Sequence, residues 1–219
     1  MDKYTRPTET IDFQVPEIEA FIQKKAATSN DPVTQAVKFY YAVRDGIRYD
    51  PYAIDLSVEG LKASSTLRQG RGWCVAKAIL LAACCRYMGI SARLGFADVK
   101  NHLSTERMRR QMNTDIFYWH AYTSIYLNGK WVKATPAFNI ELCKKFDLKP
   151  LEFDGENDSI FHSFDLNGNR HMEYINFRGE YEDVPLEEIR NTFNREYQMS
   201  PDSWIKADFD KDVEKEFKK

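Results

Sequence analysis

The segment from Cys74 to Met88 (CVAKAILLAACCRYM) constrains this chain more than any other. It is rich in alanine and leucine, has no proline or glycine, and stops at Gly89, so it reads as one helix with a glycine C-terminal stop. Its apolar residues fall all round rather than along one stripe, which requires burial on every side. At 219 residues the chain is long enough to bury it in a substantial core, and 43% hydrophobic with 29% charged residues is ordinary globular composition.

The flanking patterns say what does the burying. Pro16 to Ala27 places Ile18, Phe21 and Ile22 on one helical face, and Asn30 or Asp31 with Pro32 starts a second helix carrying Val33, Ala36, Val37, Tyr40, Tyr41 and Val43. Residues 46–73 read as loop, with turn signals at Asp45-Gly46, Asp50-Pro51 and glycines 60, 70 and 72. Ala92 to Val99 reads as a strand. Two Asn-Gly pairs mark hairpins. Asn128-Gly129 joins His120–Leu127 to Lys130–Thr135, and Asn167-Gly168 joins Ile160–Leu166 to Asn169–Phe177. Residues 101–117, with Arg107, Met108, Arg109 and Arg110, read as a solvated amphipathic helix or a lid over a cleft. The tail from Pro185 reads as a helix followed by a charged end that frays. Helices first and antiparallel hairpins later give an α+β pattern, with the cysteine helix packed on an antiparallel sheet. We expect a single domain over 1–219, with its core at about 35–140 and a hairpin and helical extension at 141–219.

Charge excludes some classes of partner. With 31 basic and 33 acidic side chains the net charge is −2, which gives no electrostatic case for nucleic acid or an anionic membrane. No apolar run is long enough to span a bilayer, and the polar stretch from Met1 to Pro16 is not a secretory signal. The four cysteines, 74, 84, 85 and 143, form neither a disulfide framework nor a CxxC zinc site, which points to a reducing cytoplasm.

Cys74 differs from the other three in position. A cysteine nucleophile acts as thiolate, and a helix N-terminus or a neighbouring imidazolium lowers the thiol's pKa. Cys74 begins the buried helix after the glycine-bearing loop Arg68-Gln69-Gly70-Arg71-Gly72-Trp73, whereas Cys84 and Cys85 lie mid-helix as small hydrophobes. His120 is the candidate base. If Asn128-Gly129 forms a two-residue turn, facing residues sum to 257, so His120 lies opposite Ala137 with Thr135 and Asn139 as diagonal neighbours. A bulge at Pro136 would break that register.

These residues carry a resemblance. Gly72-Trp73-Cys74, the Ala/Leu helix ending Met88-Gly89-Ile90-Ser91-Ala92-Arg93, Trp119-His120-Ala121-Tyr122, and Leu127-Asn128-Gly129-Lys130-Trp131-Val132 together resemble the transglutaminase-like superfamily, over about residues 35–140. The resemblance implies a papain-like core with a Cys-His-Asp triad acting on amides. It implies no cofactor and no metal, with a protein, peptide or small amide as substrate. The reaction expected is hydrolysis of an amide through a thioester. Amine transfer to protein glutamine and a non-catalytic binding module are the alternatives. The family's aspartate position, four residues after Trp131, holds Thr135 here. Either Thr135 or Asn139 orients His120, or an acid comes from the Asp154–Asp158 stretch, or activity is reduced. By analogy with papain-like enzymes, Gln69 joins the Cys74 N–H in an oxyanion hole, or else is a loop glutamine facing solvent, and Trp73 lines the cleft or belongs to the core. His162, His171 and Glu173 read as a cross-strand ion pair beside an aromatic contact rather than metal ligands, and His102 has no assigned role.

Overall fold

In the computed structural model, which describes residues 2–26, 29–101, 104–160, 168, 172–197 and 207–217, the chain runs from a short 3-10 turn (Asp2–Thr5) into helices α1 (Pro16–Ala26) and α2 (Pro32–Gly46). Pro32 sits in the first turn of α2, and the Asp31 carboxylate caps it by accepting from the Thr34 N–H at 2.8 Å.

The stretch expected to be loop, 46–73, holds four short elements: β1 (Arg48–Tyr49), α3 (Val58–Leu61), α4 (Ala63–Gln69) and β2 (Arg71–Gly72), with β1 and β2 paired in parallel. Elements this short carry too few turns to show a period. Tertiary contacts hold them instead: the Ala63 N–H donates to the Thr10 carbonyl at 2.9 Å, and the Ser64 hydroxyl to Asp12 at 2.5 Å.

The cysteine helix is α5 (Cys74–Tyr87), and it is buried along almost its whole length. Even its charged side chains are enclosed, each satisfied by carbonyls, as buried charge demands. Lys77 donates to Arg44 O at 2.9 Å and Ile47 O at 2.5 Å, closing the end of α2, and Arg86 reaches Arg6 O, Ala92 O and Glu182 O. Gly89 ends the helix at φ +73°, with Gly89 N donating to Arg86 O and Ile90 N to Cys85 O, both at 2.9 Å. Paired bonds of this kind are the Schellman stop, and only glycine adopts that φ without strain.

The remaining elements are β3 (Ala92–Asn101), α6 (Glu106–Met112), β4 (Ile116–Leu127), β5 (Lys130–Ala134), α7 (Ile140–Lys145), β6 (Met172–Tyr181), α8 (Leu186–Glu196) and α9 (Phe209–Phe217). An antiparallel sheet of order β5-β4-β3-β6 packs against α5 through β3 and β4, giving the expected α+β architecture. The β4–β5 register runs from Leu127↔Lys130 to Thr123↔Ala134, the anticipated sum of 257. Asn128 and Gly129 both take positive φ, 47° and 84°, as a type I′ turn requires.

That ladder ends at Ala134, short of the expected His120–Ala137 pair. The chain turns away at Pro136, and just before it residue 135 pairs elsewhere: the Thr135 N–H donates to Ser159 O, and the Ser159 N–H to Lys133 O, each at 2.8 Å. In the second hairpin, residues 161–167 and 169–171, which include His162 and His171, lie outside the described residues, as does His102. The strand that follows, β6, carries Glu173 opposite Lys100 of β3. The tail expected to fray is helical at α9, where Phe209 and Val213 are buried. Among the described residues no helix is long and apolar enough to cross a membrane.

Candidate active site

Cys74 is the first residue of α5, and Trp73 before it provides no side-chain cap. The N–H groups of the first turn are therefore left to whatever lies beside the thiol, and those of Cys74 and Val75 face it, as does the Ala121 N–H from β4. The sulfur is thus ringed by backbone donors from two elements that pack directly on each other. Burial nevertheless dominates: it pushes the thiol up to about 11, and the three N–H groups only partly offset it. The lowered thiol pKa expected from helix position alone is not what this enclosed site produces, because desolvating the thiolate outweighs the helix end.

His120 stands beside Ala121 on β4, and its aim depends on an irregularity in the sheet. The β3–β4 pairing runs regularly to Ala97↔His120 and then skips, resuming at Val99↔Phe117. Asp98, Tyr118 and Trp119 are left out of the ladder, and Trp119 takes φ +60°, a conformation costly for a bulky side chain. The Asp98 carboxylate makes up for the lost ladder bond by accepting from the Trp119 N–H at 3.2 Å. The buried carboxylate is in turn held by Arg178 Nε at 2.5 Å and Asn176 Nδ2 at 3.5 Å, both from β6. On the far side, the Trp119 indole donates to Thr192 Oγ1 of α8 at 2.9 Å. A bulge of this kind re-aims side chains, and it lets Phe117, Tyr118 and His120 line one cavity, which strict alternation forbids.

That cavity, about 460 Å³ with the open solvent at its mouth included, brings Cys74 and His120 together. Trp73 lines it as well as belonging to the core, packing on Phe193 of α8 with ring centroids 6.0 Å apart. Tyr49 and Tyr197 form further wall. Burial, then the proximity of Cys74 and Asp50, holds the Tyr49 phenol well above its ordinary value, so it remains a hydroxyl donor. Met108 and Met112 of α6 close the top, while the arginines of α6 point outward, which joins the lid and the amphipathic-helix readings of residues 101–117 in one element.

A second, smaller space of about 210 Å³ lies on the other side of His120, lined also by Thr135, Phe138 and Met172. Thr135 Oγ1 donates to Ile160 O at 3.1 Å and also lies within hydrogen-bonding reach of the Tyr174 hydroxyl. The other third-member candidates are engaged elsewhere. Asn139 Oδ1 accepts from the Tyr49 N–H at 3.0 Å and its Nδ2 donates to Glu141 at 2.8 Å, because the chain beyond Pro136 leaves the hairpin and starts α7. Asp154 accepts from the N–H groups of Glu156 and Asn157 within its own loop, and Asp158 from the Lys133 N–H. Gln69 is exposed at the end of α4 and does not line the cavity. Asp98 and Tyr49 escaped the sequence reading: Asp98 sat inside an ordinary strand pattern, and Tyr49 in an apparent loop.

The transglutaminase-like superfamily model matches residues 19–136. Among solved structures, the chain is similar to a proposed cysteine protease from Cytophaga hutchinsonii, at 16% identity and TM-score 0.47, over 61% of this chain and 40% of that one. It is also similar to a proposed protease from Parabacteroides distasonis, at 15% identity and TM-score 0.39, over 61% of this chain and 25% of that one. The matched region thus spans less than half of either protein. No curated protein matches the chain. The family match takes in the cysteine helix, the bulged strand and the Asn-Gly hairpin together, and by it the chain belongs to the transglutaminase-like superfamily.

Proposed function

We propose that the protein is a cysteine hydrolase that cleaves an amide through a thioester, with Cys74 as nucleophile and His120 as general base. One observation carries this reading: Cys74 and His120 line the same cavity, with the thiol at an uncapped helix N-terminus and the Ala121 N–H turned toward it. Burial pushes the Cys74 thiol up to about 11, which favours the thiol over the thiolate before substrate arrives. His120 takes the proton as sulfur attacks the carbonyl carbon. The C–N bond then breaks, and His120 passes that proton to the leaving amine. Water, deprotonated by His120, cleaves the thioester, releasing the carboxylic acid and restoring the thiol.

The developing oxyanion is served by the first-turn N–H groups of α5. Tyr49, whose hydroxyl has no hydrogen-bond partner among the described residues, supplies the side-chain donor in place of Gln69. In this reading Thr135, which shares the smaller space with His120, orients the imidazole during the reaction. It cannot stabilise imidazolium as a carboxylate does.

Trapping the intermediate tests the reading. Incubation with an activated acyl ester, followed by rapid acid quench and peptide mass spectrometry, is expected to find the acyl group on Cys74. Cys74→Ala should abolish turnover and His120→Ala should sharply slow acylation. Turnover that survives Cys74→Ala unchanged would sink the proposal in favour of a binding module, and labelled amine incorporated into protein glutamine faster than hydrolysis would replace it with cross-linking.

A further inference from the structure

We infer that the acyl group Cys74 receives is uncharged and apolar, a hydrocarbon chain or the side chain of a hydrophobic residue, seated in the cavity between α5 and the α6–α8 cover. The inference rests on the proposed role of Cys74 and adds the substrate class. Apart from the His120 imidazole, no described residue lining the cavity carries a titrating charge at neutral pH, and the wall beyond Cys74 is aromatic rings, methionines, Pro51 and Ile54. The other two tyrosines of the wall present rings, with their hydroxyls already engaged. Tyr197 Oη is used by the Tyr118 N–H at 2.8 Å and Ile116 O at 3.2 Å, and Tyr118 Oη is turned to Glu196 at 3.4 Å. The polar donors are gathered at the sulfur end: the first-turn N–H groups and Tyr49.

This division matches one polar carbonyl with an apolar remainder. An acyl group ending in an amide or a carboxylate would strand that end against carbon, with no partner to replace water. Of the roughly 460 Å³ between the walls and the open solvent at the mouth, only about 40 Å³ admits a further water-sized atom, so a chain longer than an acetyl group enters by displacing Met108 and Met112. Met108 and Met112 form the end of the cavity. They are unbranched and adaptable, so they select for apolar character more than for one exact shape. The partly exposed Ile54, Phe117 and Tyr118 mark the way in.

The test uses the full chain and p-nitrophenyl esters that share one leaving group: acetate, hexanoate, and the hydrogen adipate, which matches hexanoate in length but ends in a carboxylate. Each buried methylene favours binding by roughly fourfold, so kcat/KM for hexanoate should exceed that for acetate by at least about 30-fold, with adipate no better than acetate. Acylated leucine, phenylalanine and glutamine p-nitroanilides separate the two sources. A preference for leucine or phenylalanine over glutamine of at least about tenfold identifies a peptide side chain, and selectivity confined to the esters identifies a hydrocarbon chain. Met112→Asp should erase the hexanoate advantage, and Met112→Leu should restore it. Equal rates for all three esters, or faster cleavage of the glutamine anilide, with the acyl group still found on Cys74, would overturn the substrate class while sparing the nucleophile. Absence of any acyl group on Cys74 would overturn both.

Discussion

The floor and the cover of the cavity are built by different physics. The floor, α5 against β3 and β4, is held by burial and backbone ladders: the Val75–Cys85 run is nearly inaccessible, and even Lys77 and Arg86 are enclosed and satisfied. The cover is α6 and α8, with α9 outside α6: each anchors a few buried side chains, among them Met108, Met112, Ile189, Phe193 and Val213, and partly exposed polar contacts add to these. Arg107 meets Asp212 at 2.7 Å, Tyr52 Oη donates to the same carboxylate at 2.8 Å, Glu216 accepts from the Glu106 N–H at 2.8 Å, and Lys145 reaches Glu214 at 3.1 Å. Exposed pairs of this kind contribute little each, about 0–1 kcal/mol. The difference bears on the proposed chemistry: the atoms proposed to react sit on elements that do not yield, and the wall proposed to select sits on one that can.

Breaking the floor at its centre should have the largest effect. Cys74→Ala is expected to lower kcat by at least about 10⁴-fold with the unfolding midpoint in urea nearly unchanged, since alanine fits where a small thiol sat. The pH dependence of the intact thiol comes next. With Cys74 raised to about 11 by burial, its alkylation by iodoacetamide should climb about tenfold per pH unit from neutrality into the alkaline range, since only thiolate reacts. A plateau already reached below pH 8 would mean that an ion pair with His120 exists at rest.

Asp98 tests whether the bulge belongs to the rigid floor. Asp98→Ala removes the acceptor for Trp119 N–H and leaves Arg178 without its carboxylate. We expect a loss of about 2–3 kcal/mol in denaturant titration and a fall in kcat rather than a rise in KM, because His120 loses its aim. Tyr49→Phe is a smaller change, expected to lower kcat by about 10-fold to 100-fold with stability retained. The cover should give the smallest response. Arg107→Ala is expected to cost less than about 1 kcal/mol and to alter KM for bulky substrates more than kcat. A loss of several kcal/mol in thermal unfolding would place α6 in the rigid part and erase the contrast.

The same division governs how much could be read in advance. The floor is legible because its signals are local and strong: an all-round apolar helix with a glycine stop, and an Asn-Gly turn whose register follows from counting. The cover is poorly legible, since α6 and α9 are short, charged and amphipathic, and such helices are stabilised by what they dock on rather than by their own sequence. Two site expectations part from the structure for different reasons. Register counting put Asn139 beside His120, but the chain leaves the hairpin at Pro136, the break that count was open to. Analogy with papain-like enzymes offered Gln69 to the oxyanion, but the side chain takes the solvent-facing alternative.

By itself the sequence determined which helix must be central, where the nucleophile candidate stands on it, and the strand register that carries the histidine, because periodicity and turn chemistry act over a few residues. Tertiary structure alone decided the rest. It set the Asp98 bulge that aims His120, the burial that favours the thiol over the thiolate, and the apolar wall assembled from segments more than a hundred residues apart. Desolvation and long-range packing depend on what covers a residue, and no local pattern records that.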